Sequence, residues 1–167
     1  MTKIKDLVSK VQAWGDDKKI TSPENVDKQY MKFIEEVLEF KTELDKGEVT
    51  DDLKLEMGDI LVTLIIMAKQ KGYDFVKMYE EGFDLSFPCG YVDYSTPDKT
   101  FLLLMEKAID LGKHGLQVNF VEVLAVLHVI AKILDLDLEE CLSMAYDKIK
   151  DRKGVTRDGK FIKKEDL

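Results

Sequence analysis

Apolar residues recur three or four positions apart along most of the chain, which is the spacing of one face of an α-helix. The first such run is Ile4, Leu7, Val8, Val11 and Trp14, and it predicts a helix that stops near Gly15. No segment shows a convincing alternation of apolar and polar residues, which a half-buried strand would require. The pattern therefore predicts an all-α protein folded as a helical bundle.

Capping residues, glycines and prolines mark the boundaries of the other helices. Ser22-Pro23-Glu24 is typical of a helix start, and Gly47 and Gly72 are typical of helix ends. The helices predicted after the first cover about residues 22–47, 50–72, 73–83, 100–114, 119–135 and 137–152. The tail that follows is basic in its first part, and we expect an irregular strand-like or hairpin extension there.

Turn-forming residues divide the chain near its middle. Residues 84–99 contain two prolines and a glycine and are the predicted linker. We expect 1–83 and 100–167 to be two helical halves of one compact domain. A shift of 63 residues aligns Leu61 with Leu124, Leu64 with Leu127, Ala68-Lys69 with Ala131-Lys132 and Asp74 with Asp137. This alignment predicts that the second half is a diverged repeat of the first.

Charge and composition exclude several classes of protein. The formal net charge is −8, which disfavours sequence-independent binding to nucleic acid but allows a polyphosphate bridged by metal ions. Cys89 and Cys141 are far apart and have no zinc-ligand spacing, so we expect a reducing, cytoplasmic setting. The longest apolar run, Ile60–Ala68, is nine residues long, and it predicts a soluble protein without a membrane partner.

Five carboxylates have the spacing of a shared site. Glu35, Glu36 and Glu39 fall on the second predicted helix, and Glu56 and Asp59 fall on the third. Residues three or four apart on a helix are neighbours, so each set projects from one side of its helix. The connection between the helices is short, which makes them antiparallel neighbours. The carboxylates are therefore expected to converge between the two helices.

A divalent cation is the expected partner of these carboxylates. Glu56 and Asp59 lead directly into Ile60–Ala68, which is apolar around almost its whole circumference and should be buried. Clustered carboxylates beside an apolar interior repel one another and need a counter-ion. Oxygen ligands without nearby His or Cys favour Mg²⁺, Mn²⁺ or Ca²⁺ over zinc. The alternative from spacing alone is a solvated acidic face.

The same residues carry a family resemblance. Glu35-Glu36-Val37-Leu38-Glu39, followed after 16 residues by Glu56-Met57-Gly58-Asp59, resembles the EExxE…ExxD signature of the all-α nucleoside triphosphate pyrophosphohydrolases. That superfamily includes MazG-like proteins, dimeric dUTPases and phosphoribosyl-ATP pyrophosphatases. The flanking Phe33-Ile34 and Ile60-Leu61-Val62, and the C-terminal run AYDKIKDRKGVTRDGKFIKKE, are similar to the MazG-like branch. The resemblance covers about residues 1–80 and 131–167.

The resemblance implies a fold and a reaction. It implies a helical bundle of the pyrophosphohydrolase type that hydrolyses a nucleoside triphosphate to the monophosphate and pyrophosphate. Glu36, Glu39, Glu56 and Asp59 would hold Mg²⁺, for which Mn²⁺ is a possible substitute. Glu35 would be a further ligand or the base that orients the attacking water.

Other residues are candidates for substrate binding. Lys148, Arg152 and Lys153 are candidates for the phosphate oxygens, and the alternative for each is a basic helix end that complements the helix dipole. Trp14 is a candidate for stacking on a base, with a place in the core as its alternative. Gln29 and Lys32 precede the glutamates by one or two turns and can reach base or phosphate, or else belong to a solvated face.

The second half departs from the signature. In the proposed alignment Asn119 replaces Glu56 and Glu122 replaces Asp59, while Met105, Glu106 and Ile109 replace the glutamate triplet. We therefore expect one working site per chain, in the first half. The near-continuous apolar third helix predicts burial beyond a lone hairpin, so we also expect a homodimer or higher homo-oligomer. The alternatives are a dUTPase-like or phosphoribosyl-ATP pyrophosphohydrolase activity and, in a different class, a non-catalytic helical interaction protein.

Overall fold

The structure is a computed structural model, and it describes residues 3–86 and 96–167. The described part of the chain is all-α, as predicted, apart from one two-stranded hairpin. Its elements are α1 (Lys3–Asp17), α2 (Val26–Leu44), α3 (Asp51–Lys71), α4 (Phe75–Leu85), α5 (Pro97–His114), α6 (Gln117–Leu134), α7 (Leu138–Ile149), β1 (Gly154–Arg157) and β2 (Lys160–Lys163). A 3₁₀ turn, Pro23–Asn25, precedes α2, and a second, Lys164–Asp166, follows β2.

Two compact units make up the chain. The first unit contains Met1–Tyr73 and Glu139–Leu167, and the second contains Asp74–Leu138. This division groups α7 and the hairpin with α1–α3, and groups α4 with α5 and α6, whereas the sequence analysis divided the halves within 84–99. Of that expected linker, residues 87–95 lie outside the described residues, and the remaining positions belong to the end of α4 and the start of α5.

The first unit is built around α3. Every residue from Met57 to Ala68 is buried, which confirms the prediction from the apolar run. The helix begins at Thr50, whose hydroxyl accepts a hydrogen bond from the backbone N–H of Leu53 at 3.1 Å, and ends at Gly72, whose φ is 73°. On either side pack α1 and the antiparallel α2, which bury the apolar faces predicted for them.

Gly15 does not end the first helix, although the sequence analysis predicted a stop near it. The helix continues through this residue to Asp17. Gly15 is buried, and a Cβ added there would lie 2.4 Å from Cδ1 of Ile66 and 2.9 Å from Cγ2 of Thr21. Because Gly15 has no side chain, α1 can pack closely against α3 at this position, and the glycine does not end the helix.

The second unit also contains a pair of packed helices. α5 and α6 pack against each other as α2 and α3 do, and α4 packs on α6. Asn119, which aligns with Glu56, accepts a hydrogen bond from the backbone N–H of Leu116 at 3.0 Å, so its side chain caps α6. By length and composition α6 alone of the described helices could cross a membrane, but 56% of it is buried inside the protein, as in the core helix of a soluble protein.

Candidate active site

Three of the predicted carboxylates meet in the first unit. Glu36 lies on the inner face of α2 beside the buried Phe33, Val37 and Phe40, and its exposed fraction is only 6%. Glu56 and Asp59 lie on the second and third turns of α3. One carboxylate oxygen from each of the three residues lies within 4.8 Å of the others. The short connection between α2 and α3 thus brings these acids together, and we call the three residues the carboxylate cluster.

Glu35 and Glu39 lie beside the carboxylate cluster rather than in it. Both side chains are exposed on α2. Glu35 pairs with Lys32 at 3.3 Å. Glu39 is close enough for its charge to raise the pKa of both Glu36 and Glu56. Glu39 therefore acts on the carboxylate cluster through its charge, whereas the contact given for Glu35 is with Lys32.

Burial and mutual repulsion disturb the ionisation of the cluster. Burial, together with the charges of Asp59 and Glu39, raises the pKa of Glu56 to about 7, although Lys148 opposes the shift. Burial also raises the pKa of Glu36, against the opposing effect of Lys32. Oε2 of Glu56 is buried without a hydrogen-bond partner among the described residues. The cluster is therefore short of positive charge and of donors, as a cation site is before its ion binds.

Two lysines neutralise part of this charge. Lys32 lies one turn before Glu36 on α2, and its Nζ lies 2.7 Å from Oε1 of Glu36. Lys148 on α7 donates a hydrogen bond to Oδ2 of Asp59 at 2.8 Å. Both were predicted to bind substrate, and both lie at the site, but each ammonium group contacts a carboxylate of the cluster in this structure.

A glycine that the sequence analysis did not single out fixes the approach of α7. Gly58 lies between Glu56 and Asp59, and a Cβ added there would lie 2.1 Å from the carbonyl oxygen of Cys141 and 2.7 Å from Cβ of Ala145. Lys148 follows these two residues along the same face of α7 at helical spacing. The missing side chain at Gly58 therefore lets α7 come close enough for Lys148 to reach Asp59.

A cavity of about 490 Å³ opens beside the cluster, within the first unit. Nine of the eleven predicted site residues line it, and the two that do not are Glu56 and Lys153. The volume falls in the range of small-molecule sites. Lys153 is exposed, and its carbonyl oxygen accepts a hydrogen bond from the backbone N–H of Lys164 at 2.8 Å. The structure thus brings together the other predicted binding residues, Trp14, Gln29, Lys32, Lys148 and Arg152, and leaves Lys153 outside.

The C-terminal hairpin supplies wall residues that sequence reasoning missed. Lys160, Phe161 and Lys163 line the cavity, all of them from β2. Asp158-Gly159 is a two-residue turn with positive φ at both positions, 49° and 75°. Asp-Gly between two short apolar-containing runs is the strongest local signal for such a hairpin. That signal predicts the hairpin, but not that it folds back onto α1 and α2.

Comparison with known proteins gives a limited result. A segment of 76 residues is 29% identical to an uncharacterized 18.2 kDa protein from the rep-hol intergenic region of Haemophilus phage HP1. The match covers 46% of this chain and 46% of the phage protein, so it spans about half the length of that relative. No family model and no solved structure matches the chain. The resemblance to the pyrophosphohydrolases therefore stays a prediction from its motifs.

Proposed function

We propose that this chain is a Mg²⁺-dependent nucleotide pyrophosphohydrolase, which cleaves a nucleoside triphosphate to the monophosphate and pyrophosphate. The observation that carries the proposal is the convergence of Glu36, Glu56 and Asp59 beside a cavity that is also lined by basic and aromatic side chains. An acidic cluster alone would suit many roles. Its position next to cations that suit phosphate oxygens favours a polyphosphate substrate.

The residues present suit a hard divalent cation. The three carboxylates of the cluster supply oxygen ligands, with Glu39 at the margin, and this donor set suits Mg²⁺ or Mn²⁺. Oε2 of Glu56, which has no hydrogen-bond partner among the described residues, would gain the bound ion as its partner. When bound, such an ion neutralises charge on the phosphate oxygens and lowers the pKa of a water molecule.

The chain's own side chains would bind and orient the reacting groups. Lys32, Lys148 and Arg152 line the cavity and offer hydrogen-bond donors to phosphate oxygens, and Arg152 can contact two oxygens at once. The water oxygen would form a bond to the α-phosphorus as the bond to the α,β-bridging oxygen breaks, and pyrophosphate would leave. Glu35, exposed at the cavity wall, is the group that would orient this water and take its proton.

The test is a product analysis with a matched pair of variants. The purified chain is incubated with Mg²⁺ and a panel of ribo- and deoxyribonucleoside triphosphates, and monophosphate and pyrophosphate are quantified. We expect Glu36→Gln to lower kcat/KM on the order of 100-fold, since even residues that only support metal ligands commonly contribute 10- to 100-fold. Glu43→Gln, on the same helix and paired with Lys46, is the control and should be unchanged. A folded Glu36→Gln protein with full turnover would remove the proposal.

The same panel, with phosphoribosyl-ATP added, separates the narrower activities. Cleavage confined to dUTP would favour a dUTPase-like enzyme, and cleavage confined to phosphoribosyl-ATP would favour that pyrophosphohydrolase. Release of single phosphate instead of pyrophosphate would contradict cleavage at the α-phosphorus.

A second candidate has one observation in its favour. The ion pairs Lys32–Glu36 and Lys148–Asp59 join basic and acidic residues of the chain to one another, as in a structural charge network of a non-catalytic interaction protein. Isothermal titration with Mg²⁺ and with Mn²⁺ distinguishes the two roles. Saturable binding that is lost in Asp59→Asn favours the enzyme, and the absence of binding favours the charge network.

A further inference from the structure

The C-terminal hairpin is fixed on the first unit at three points. Thr156 donates a hydrogen bond from its hydroxyl to the carbonyl oxygen of Lys18. Phe161 packs edge-on against Trp14, with ring centroids 6.0 Å apart. At the turn, a Cβ added to Gly159 would lie 1.8 Å from Oδ1 of Asn25, so the glycine backbone sits directly on that side chain. The hairpin is therefore part of the cavity wall.

Strand pairing places the fixed residues on one face of the hairpin. Thr156 is opposite Phe161 in the antiparallel register, and opposite residues share a face of the sheet. Val155 is opposite Ile162 and lies on the other face. The face with Phe161 is the one that contacts α1, and Phe161 also lines the cavity. Phe161 and Trp14 together form what we call the aromatic wall.

The aromatic wall lies about two helical turns from the carboxylate cluster. Trp14 precedes Gly15, whose Cα lies against Ile66 of α3. Ile66 follows Asp59 by seven residues on one helix, a rise of about 10 Å. Val62 and Thr63 line the cavity between these two levels. Along α3, the side chains that line the cavity thus change from acidic to apolar and then to aromatic.

Trp14 also offers an unused donor. Its Nε1 is buried and has no hydrogen-bond partner among the described residues. An indole N–H without an acceptor destabilises the protein, and a ligand oxygen or ring nitrogen at this end would relieve the deficit. Trp14 therefore brings to the aromatic wall a polar group whose hydrogen-bonding capacity the described residues leave unused.

We infer that the aromatic wall binds the nucleobase and that Phe161 is a base-binding residue of the site. The inference rests on the proposed function, because it assumes phosphates at the cluster end of the cavity. A base is a flat, partly polar ring system, which packs on aromatic side chains whatever its identity. Nζ of Lys18 lies over the Phe161 ring, 5.8 Å from its centroid, and this cation–π contact helps to fix the ring in place.

The experiment uses Trp14 as its own reporter, since it is the only tryptophan of the chain. Intrinsic fluorescence is titrated with hydrolysis-resistant triphosphates of the common ribo- and deoxyribonucleosides in Mg²⁺, and separately with inorganic tripolyphosphate, which has no base. Phe161→Leu removes the ring and keeps an apolar side chain. Phe161→Tyr restores a ring, and Val155→Ala is the control on the opposite face of the hairpin.

We expect the nucleotides to bind more tightly than tripolyphosphate. Phe161→Leu should weaken nucleotide binding about tenfold, the loss of one modest base–aromatic contact, and leave tripolyphosphate binding unchanged. Phe161→Tyr and Val155→Ala should bind as the original chain does. Equal effects of Phe161→Leu on both ligands, or no effect on either, would overturn the inference.

The readout is independent of turnover, so the two proposals fail in different ways. Nucleotide binding that depends on Phe161 without any hydrolysis would refute the proposed reaction but not the base site. Hydrolysis that is indifferent to Phe161→Leu would refute the base site alone.

Discussion

At the level of single residues, two partly buried titratable side chains connect pH to stability in opposite directions. Glu56 has a raised pKa in the first unit, and His128 has a lowered pKa in the second. Burial is the main cause of both shifts, because it penalises the charged form, which is the deprotonated form of a carboxyl group and the protonated form of an imidazole.

Glu56 should make the ion-free protein less stable as pH rises. Its pKa is about 7 in the fold, against an ordinary value of 4.5. Between these values the folded chain keeps a proton that the unfolded chain has released, so raising the pH through this window lowers the free energy of unfolding. Glu56→Gln removes the effect. In chelator, its melting temperature relative to the original chain should rise from about pH 5 to about pH 8, and a constant difference would contradict the assignment.

His128 should have the reverse effect. Its Nε2 lies 3.2 Å from the carbonyl oxygen of Tyr79, and burial lowers its pKa below 6.5 although this contact opposes the shift. As pH falls below 6.5, the unfolded chain takes up the proton first, so stability that is present above this value is lost. His128→Gln should lose less stability in acid when denaturation is followed by circular dichroism. His114→Gln, at the exposed end of α5, is the control and should behave as the original chain.

The local part of the candidate site could be predicted from sequence, and its long-range part could not. Glu56 and Asp59 share a helix turn, and a short loop returns the chain from Glu36, so their convergence follows from helix geometry. Lys148 is 89 positions from Asp59, and no local pattern shows that the two form an ion pair. For the same reason the wall residue Phe161 was missed.

At the level of elements, α3 shows why burial is easier to predict than boundaries. Its apolar residues occur on all sides of the helix, so burial on all sides is expected, and every residue of Met57–Ala68 is buried in the structure. The prediction from Gly15 placed the end of α1 too early, because a glycine occurs where two helices pack closely as well as where a helix ends. Only the neighbouring Ile66, distant in sequence, distinguishes these roles.

Gly58→Ala tests the placement of α7. The added methyl group would overlap the carbonyl oxygen of Cys141, so we expect a loss of about 1–3 kcal/mol in the free energy of unfolding. We also expect tighter binding of Mg²⁺, because Lys148, whose ammonium group competes with the ion for Asp59, moves away. Gly82→Ala creates a similar overlap with Leu124 in the second unit. It should also destabilise the protein but leave the Mg²⁺ response intact. Urea denaturation and titration calorimetry measure the two effects.

At the level of the whole molecule, the candidate site belongs to one of the two compact units. Among the described residues, a group of three carboxylates close enough to hold an ion occurs in the first unit and not in the second. Asn119 caps a helix at the position aligned with Glu56, so that position serves local structure in the second unit. The sequence comparison of the two halves predicted this asymmetry, but it assigned the tail to the second half, whereas the hairpin folds onto the first unit.

Mg²⁺ should stabilise the first unit of this acidic chain. Binding to the folded state alone raises the free energy of unfolding by about 2.7 kcal/mol when the free ion exceeds its Kd 100-fold. The increase should be larger at about pH 8 than at about pH 6, because Glu56 must release its proton to bind the ion. Thermal melts followed by Trp14 fluorescence measure the effect. Asp59→Asn should abolish it, and an equal gain in that variant would indicate non-specific ion effects.

The burial of Met57–Ala68 on α3 has a consequence for substrate choice. Asp59 of the carboxylate cluster and Ile66, which lies against Gly15 beside Trp14, are separated along this buried stretch by about 10 Å of helix rise. If both ends of the cavity bind the substrate as proposed, α3 keeps the phosphate-binding end and the base-binding end at a constant separation. Nucleoside monophosphates, and dinucleoside polyphosphates with longer bridges, would then engage one end at a time, and the chain would discriminate by the number of phosphates before it discriminates by base.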